Sequence, residues 1–163
     1  MARTALVRTT RGEVLAGALR PGDGVFTRDN GPREIETMRE EAASTRSDRA
    51  VCVRAGALGH GHGQPERDLI VAEKTRLLLA SGMISVLYDT DAAVVRAGDL
   101  VGREGFRFCG APAGGWVALG LSSHELVLVD GTWTETEAPR LAGGASTPTA
   151  YRELSRLEAQ LLG

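Results

Sequence analysis

Residues 68–82, DLIVAEKTRLLLASG, set two apolar runs on either side of a polar knot, Ala72-Glu73-Lys74-Thr75-Arg76. Each run is only a few residues long and rich in Leu, Ile and Val, which suits a buried strand better than a helix. The stretch therefore predicts strands at 68–71 and 76–79 with a charged corner between them. What such a corner is for is the question the remaining residues must answer.

The first forty residues alternate short apolar runs with turn chemistry: ALVRT then TRG, EVLAGAL then RPGD, GVFTR then DNGP, and finally REIETM. Runs of this length divided by Gly, Pro, Asn and Asp are the pattern of antiparallel strands joined by tight turns. In RPGD, Pro21 presets φ for a turn and Gly22 accepts a positive φ. REEAASTRSDRA (39–50) lacks apolar periodicity and reads as a surface loop or one exposed helical turn. In VCVRAGAL, Val51 and Val53 share one strand face and Cys52 takes the other. Beyond the GHGHGQPERD loop, further strands are expected at 83–88, 92–95, REGFRFCG, WVALGL and ELVLVDG. After EAPRLAGGAS the period changes. Tyr151, Leu154, Leu157 and Leu161 fall on one face of an expected helix over 150–163, with Thr147 as N-cap and Pro148 at its first position. LRPGDGV (19–25) and VRAGDLV (95–101) form a faint internal echo that matches Arg20 with Arg96, as two similar β halves would.

A chain of 163 residues is large enough to bury one core, and its 42% hydrophobic and 25% charged residues are those of an ordinary globular protein. Net charge is −2 and Lys74 is the only lysine, so no basic stripe is present and nucleic acid is not an expected partner. No segment has the length of a membrane span, and the opening residues lack the apolar core of a signal peptide. The expectation is a soluble, cytoplasmic protein without membrane contact, although a place in a secreted or particle assembly stays open. Cys52 and Cys109 lie in apolar stretches and read as buried thiols, with one bridge between them as the alternative.

Three blocks, GEVLAGALRPGDGVFTRDNGP, VRAGALG followed by RDLIV, and HELVLVDGTWTET, stand in the order and spacing of the bacterial branch of the Hint (Hedgehog/intein) domain family, which the chain resembles from about Val7 to Thr136. The resemblance implies an all-β, horseshoe-shaped fold of two pseudo-symmetric halves, here over 1–140, then a linker at 141–149 and a short C-terminal α-helix at 150–163. Members rearrange their own backbone. A nucleophile, usually Cys, attacks the preceding carbonyl at the start of the domain, a central-block histidine in a Ser-Pro-x-His-Arg setting assists, and a late Asp and His support later steps. A peptide carbonyl needs both an activated nucleophile and a polarising donor.

Laid over this pattern, the chain departs from it. The nucleophile position falls at or just before Met1, which is not a cysteine; Ala72 and Glu73 replace Ser-Pro, and Thr75 stands at the histidine position with Arg76 kept. A threonine hydroxyl does not exchange protons near neutral pH as imidazole does. Ser122 replaces the late Asp, while His124 is retained. Thr75 and His124 are thus vestigial site candidates, and no catalytic residue and no cofactor is expected.

Other constellations are weaker. His60 and His62 on a Gly-rich loop lack the ligand count of a zinc site, and only with His124 would they make a three-histidine metal site. Gly59 to Gln64 fails the dinucleotide pattern because no helix follows. Ser122 or Ser123, His124 and Asp130 crowd one strand without a nucleophile elbow. The stripe of Tyr151, Leu154, Leu157 and Leu161 either packs on its own sheet or is offered to a partner's groove. The expected function is a catalytically inactive Hint-like domain binding an unknown protein partner or larger assembly; the alternative keeps autoprocessing or hydrolytic activity around His124.

Overall fold

The computed structural model describes residues 1–43, 49–59, 64–138 and 150–162. Along the chain run β1 (Leu6–Thr9), β2 (Gly12–Leu15), β3 (Gly24–Thr27), β4 (Gly31–Glu34), β5 (Thr37–Glu41), β6 (Ala50–Val53), β7 (Leu69–Ala72) and β8 (Arg76–Leu79). After α1 (Gly82–Tyr88) come β9 (Ala93–Arg96), β10 (Phe106–Cys109), β11 (Trp116–Gly120), β12 (Leu126–Val129), β13 (Thr132–Glu135), β14 (Arg152–Leu154) and α2 (Arg156–Leu161). The fold is all-β with a short C-terminal helix. The largest sheet runs β14-β9-β8-β13-β12-β1-β3-β4, with β2 paired to β1; β10-β6-β7 and β11-β5 form smaller sheets.

Alternation builds the core. In β1 and β3 the inward residues are Val7, Thr9, Val25 and Thr27, while Arg8 and Phe26 face out. Val51, Val53, Leu69 and Val71 of the three-stranded sheet join Val7, Leu77, Val95 and Val127 in one apolar cluster. The other face of β6, where Cys52 lies, is covered as well: Ala50 and Ala72 pack with Trp116. Turn chemistry sets the registers. Asp23 N–H donates to Arg20 C=O at 3.0 Å with Gly22 at φ 91°, a type II turn led by Pro21. Asp130 and Gly131 both have positive φ, 46° and 79°, as the two-residue hairpin between β12 and β13 requires.

The internal echo is real but its register differs from the sequence match. The short 3-10 turns Ala16–Ala18 and Ala97–Leu100 are twins, so LAGAL (15–19) pairs with RAGDL (96–100) and Ala16, not Arg20, marks the match. Ala16 N–H donates to Ala5 C=O (2.8 Å) and Ala97 N–H to Thr75 C=O (2.9 Å); Gly17 N–H donates to Arg3 C=O (2.9 Å) and Gly98 N–H to Glu73 C=O (2.8 Å). Each acceptor pair sits in a turn, Ala5 N–H closing on Ala2 C=O and Thr75 N–H on Ala72 C=O. The charged corner of residues 72–75 is therefore the second half's copy of residues 2–5.

Three elements differ from expectation. Residues 82–88 are a helix, not a strand: Ser81 Oγ accepts from Ile84 N–H at 3.2 Å and Asp89 closes the last turn in the left-handed region. Caps at both ends outweigh the β-leaning residues between them, and the helix turns Val86 (84% exposed), Met83 and Leu87 outward. Residues 150–163 are not one helix. Arg152–Leu154 pair in parallel with Ala93–Val95, and α2 starts only after Ser155, whose side chain and Glu158 form a capping box. Arg39–Glu41, expected in a loop, complete β5 against β11. Thr147, Pro148 and the 141–149 linker lie outside the described residues.

Candidate functional site

A cavity of about 390 Å³ is bordered by Met1 from the first half, Lys74, Thr75 and Arg76 from the second, and His124 and Glu135 from beside β12 and the end of β13. The strand pairing of β8 with β13 brings Arg76 to Glu135, residues far apart in sequence.

Glu135 is the hub. Its carboxylate accepts from Arg76 N–H (3.1 Å) and from Arg76 Nη1 (2.9 Å) and lies 3.1 Å from His124 Nε2, which donates to it in the tautomer carrying Nε2–H. Burial pushes the Glu135 carboxyl up, but His124 and Arg76 more than offset it and hold the group below its usual value. Burial likewise pulls Arg76 down, while Glu135 and Glu153 more than restore it, so its guanidinium stays charged. Arg76 Nε lies 2.9 Å from Glu153, off the N–H axis, an ion pair without a hydrogen bond; Arg96 Nε donates to the same carboxylate at 2.9 Å. The His124 side chain is 6% exposed.

The remaining candidates are dispersed. Thr75 lines the cavity, its backbone spent on the corner turn. Ser123 Oγ donates to Glu125 at 2.5 Å, and Glu125 also accepts from Asn30. Asp130 sits at the opposite end of β12, accepting from Leu6 N–H, its carboxyl pushed up by burial. Serine, His124 and Asp130 form no triad. Cys52 and Cys109 are free thiols on β6 and β10, burial and the neighbouring Cys52 raising Cys109. His60 and His62 lie outside the described residues, and among those described no group of three or more His, Cys, Asp or Glu is arranged to hold a metal. No helix among them is long and apolar enough to cross a membrane.

Tyr151, Leu154, Leu157 and Leu161 do not share a face. Leu154 is 1% exposed in the core and Tyr151 packs against the cluster of Leu78, Ala92, Val94 and Leu126, whereas Leu157 (80%) and Leu161 (67%) point to solvent. Tyr151 Oη also accepts from Arg28 Nε (2.8 Å) and donates to Asp29 (2.6 Å). Sequence reasoning missed Glu135 and Glu153; only the alternation of TWTE, which sends Glu135 to the face opposite the buried Thr132 and Thr134, pointed toward the first.

The model of the Hint domain family matches residues 1–140. This chain belongs to the Hint domain family. Among solved structures, the crystal structure of the MchDnaB-1 intein superposes with a TM-score of 0.52 at 12% identity, covering 83% of this chain and 98% of the intein. At that identity the likeness speaks for the Hint fold alone. No curated protein matches the chain. In this Hint domain the cavity lies where the two halves meet, and its charged corner faces it with a threonine.

Proposed function

We propose that this Hint domain does not rearrange its backbone and serves as a protein-binding, assembly or structural module. The observation that carries the reading is the corner at Thr75: the central block keeps its turn, its two carbonyl acceptors and its arginine, while a hydroxyl takes the place that the family pattern gives to imidazole. Arg76 is committed to Glu135 and Glu153, so it supports the sheet and not a reacting carbonyl. Both cysteines lie on the β10-β6-β7 sheet and neither borders the cavity. The test is the intact mass of the purified chain after incubation with and without thiol or hydroxylamine. One unchanged mass is expected; a specific cleavage product sinks the proposal.

A second reading rests on the hydrogen bond between His124 and Glu135, an imidazole oriented by a carboxylate beside a cavity. It assigns hydrolytic or residual autoprocessing activity to His124. If any such activity is measured, His124→Ala with the fold intact must abolish it; activity unchanged in that variant refutes this second reading.

A further inference from the structure

The segment 150–162 rests on the domain as a ligand rests on a receptor. Its strand β14 adds in parallel to the edge of β9, pairing Arg152, Glu153 and Leu154 with Ala93, Val94 and Val95. Glu153 closes on both Arg76 and Arg96, the arginines at the cavity's margin, and the next residue, Leu154, enters the core. The surface beneath cannot stand bare: Ala93, Val94 and Val95 are fully buried, and two arginines would lose their shared carboxylate. Yet the cover is lightly held. Of its side chains only Leu154 and Ala159 are fully buried, its strand has three residues and its helix six, below the length that sustains a helix alone, Leu157 and Leu161 are exposed, and its ion pairs are part-exposed.

Resting on the proposed binding role, we propose that the β9 edge with Arg76 and Arg96 is an exchangeable strand-acceptor groove, which the chain's own tail occupies until an extended segment of another protein, with an acidic residue directly before a leucine, displaces it. The main chain supplies affinity through strand addition, and the acid-leucine pair supplies register. A foreign strand is favoured over a second copy's tail because exchange of identical tails gains no contact and costs association entropy, whereas a foreign segment of different sequence can add contacts in the cavity that Arg76 and Arg96 border.

The probe is a labelled synthetic peptide of residues 150–163, titrated by fluorescence anisotropy into the full-length wild-type chain and into a full-length Glu153→Arg/Leu154→Asp variant. The variant's tail is repelled by Arg76 and Arg96, so the variant is expected to bind the peptide one to one. The wild type, whose tethered tail competes at roughly millimolar effective concentration, is expected to resist until the peptide reaches about that level. A peptide carrying both substitutions binds neither. Equal binding to both proteins, or no binding to a variant that is folded by circular dichroism, overturns the proposal. Should the variant fail to fold, hydrogen exchange on the wild type decides: amides of residues 152–155 exchange at least roughly ten-fold faster than those of Val127 and Val129, and equal protection overturns it. A wild-type chain that elutes as a tail-exchanged dimer overturns the choice of a foreign strand. Failure here with an intact chain mass leaves the non-processing reading standing, and a cleavage product topples that reading without touching tail exchange.

Discussion

Replacing Glu135 by Gln removes one charge from the junction of the two halves and leaves the side chain's size unchanged. At about pH 7 the carboxylate holds the His124 ring, the Arg76 guanidinium and the Arg76 backbone N–H. A hydrogen bond to a charged group contributes about 1.5–3 kcal/mol, and Glu135 makes more than one. The amide keeps an acceptor for the backbone N–H, and Arg76 keeps Glu153, so the expected loss is about 2–3 kcal/mol. The sign of its pH dependence follows from the depressed carboxyl: the unfolded chain takes up the proton first, so the charge's contribution is full above the ordinary value of 4.5 and is lost as pH falls through the folded value. Urea unfolding of wild type and Glu135→Gln, followed by circular dichroism, should show this gap at about pH 7 and a narrower one at about pH 3.5. Equal stabilities at neutral pH, or a gap undiminished in acid, would refute the assignment of Glu135 as the hub.

The twin corners give a paired test. Gly98→Ala puts a methyl 3.1 Å from the Glu73 backbone oxygen, whereas Gly17→Ala meets the movable Arg3 guanidinium at 2.9 Å, so the first should cost about 1–2 kcal/mol in urea unfolding and the second less. Leu77→Ala, in the central β8, should cost about 3 kcal/mol or more, while Leu154→Ala, equally buried but on a segment that can lift off, should cost clearly less; differential scanning calorimetry of the two separates a docked tail from an integral one. Asp130→Asn keeps an acceptor for Leu6 N–H and a residue suited to positive φ. Because burial raises the Asp130 carboxyl, wild type loses stability as pH rises from its ordinary value of 3.8 through the folded one, and the variant should match or exceed it by up to about 1 kcal/mol at neutral pH. A lower melting temperature for Asp130→Asn would contradict that.

The β pattern was legible because each turn carried its own local chemistry. Pro21-Gly22 and Asp130-Gly131 encode their turn types in two residues apiece, and the short apolar runs between such turns have room only for strands. Residues 82–88 misled because Ile84, Val86 and Tyr88 favour strands, whereas the decisive groups were the caps Ser81 and Asp89 just outside the run. The tail misled through spacing: leucines three and four apart suit a helix face, but Ser155-x-x-Glu158 starts the helix later and leaves Leu154 to a strand. The site was half legible. Thr75 and His124 reach one cavity as the family pattern implies, yet what binds them into a network, Glu135 and the Arg76–Glu153–Arg96 chain, arises from strand pairings between distant segments that no local window records.

The most direct test of the central claim places the full chain between two carrier proteins, supplying a peptide bond on each side of the domain, and follows the intact mass of the fusion with time, with and without thiol or hydroxylamine. The account predicts a single species of full mass under every condition. A released carrier, or two carriers joined with the domain excised, would contradict it.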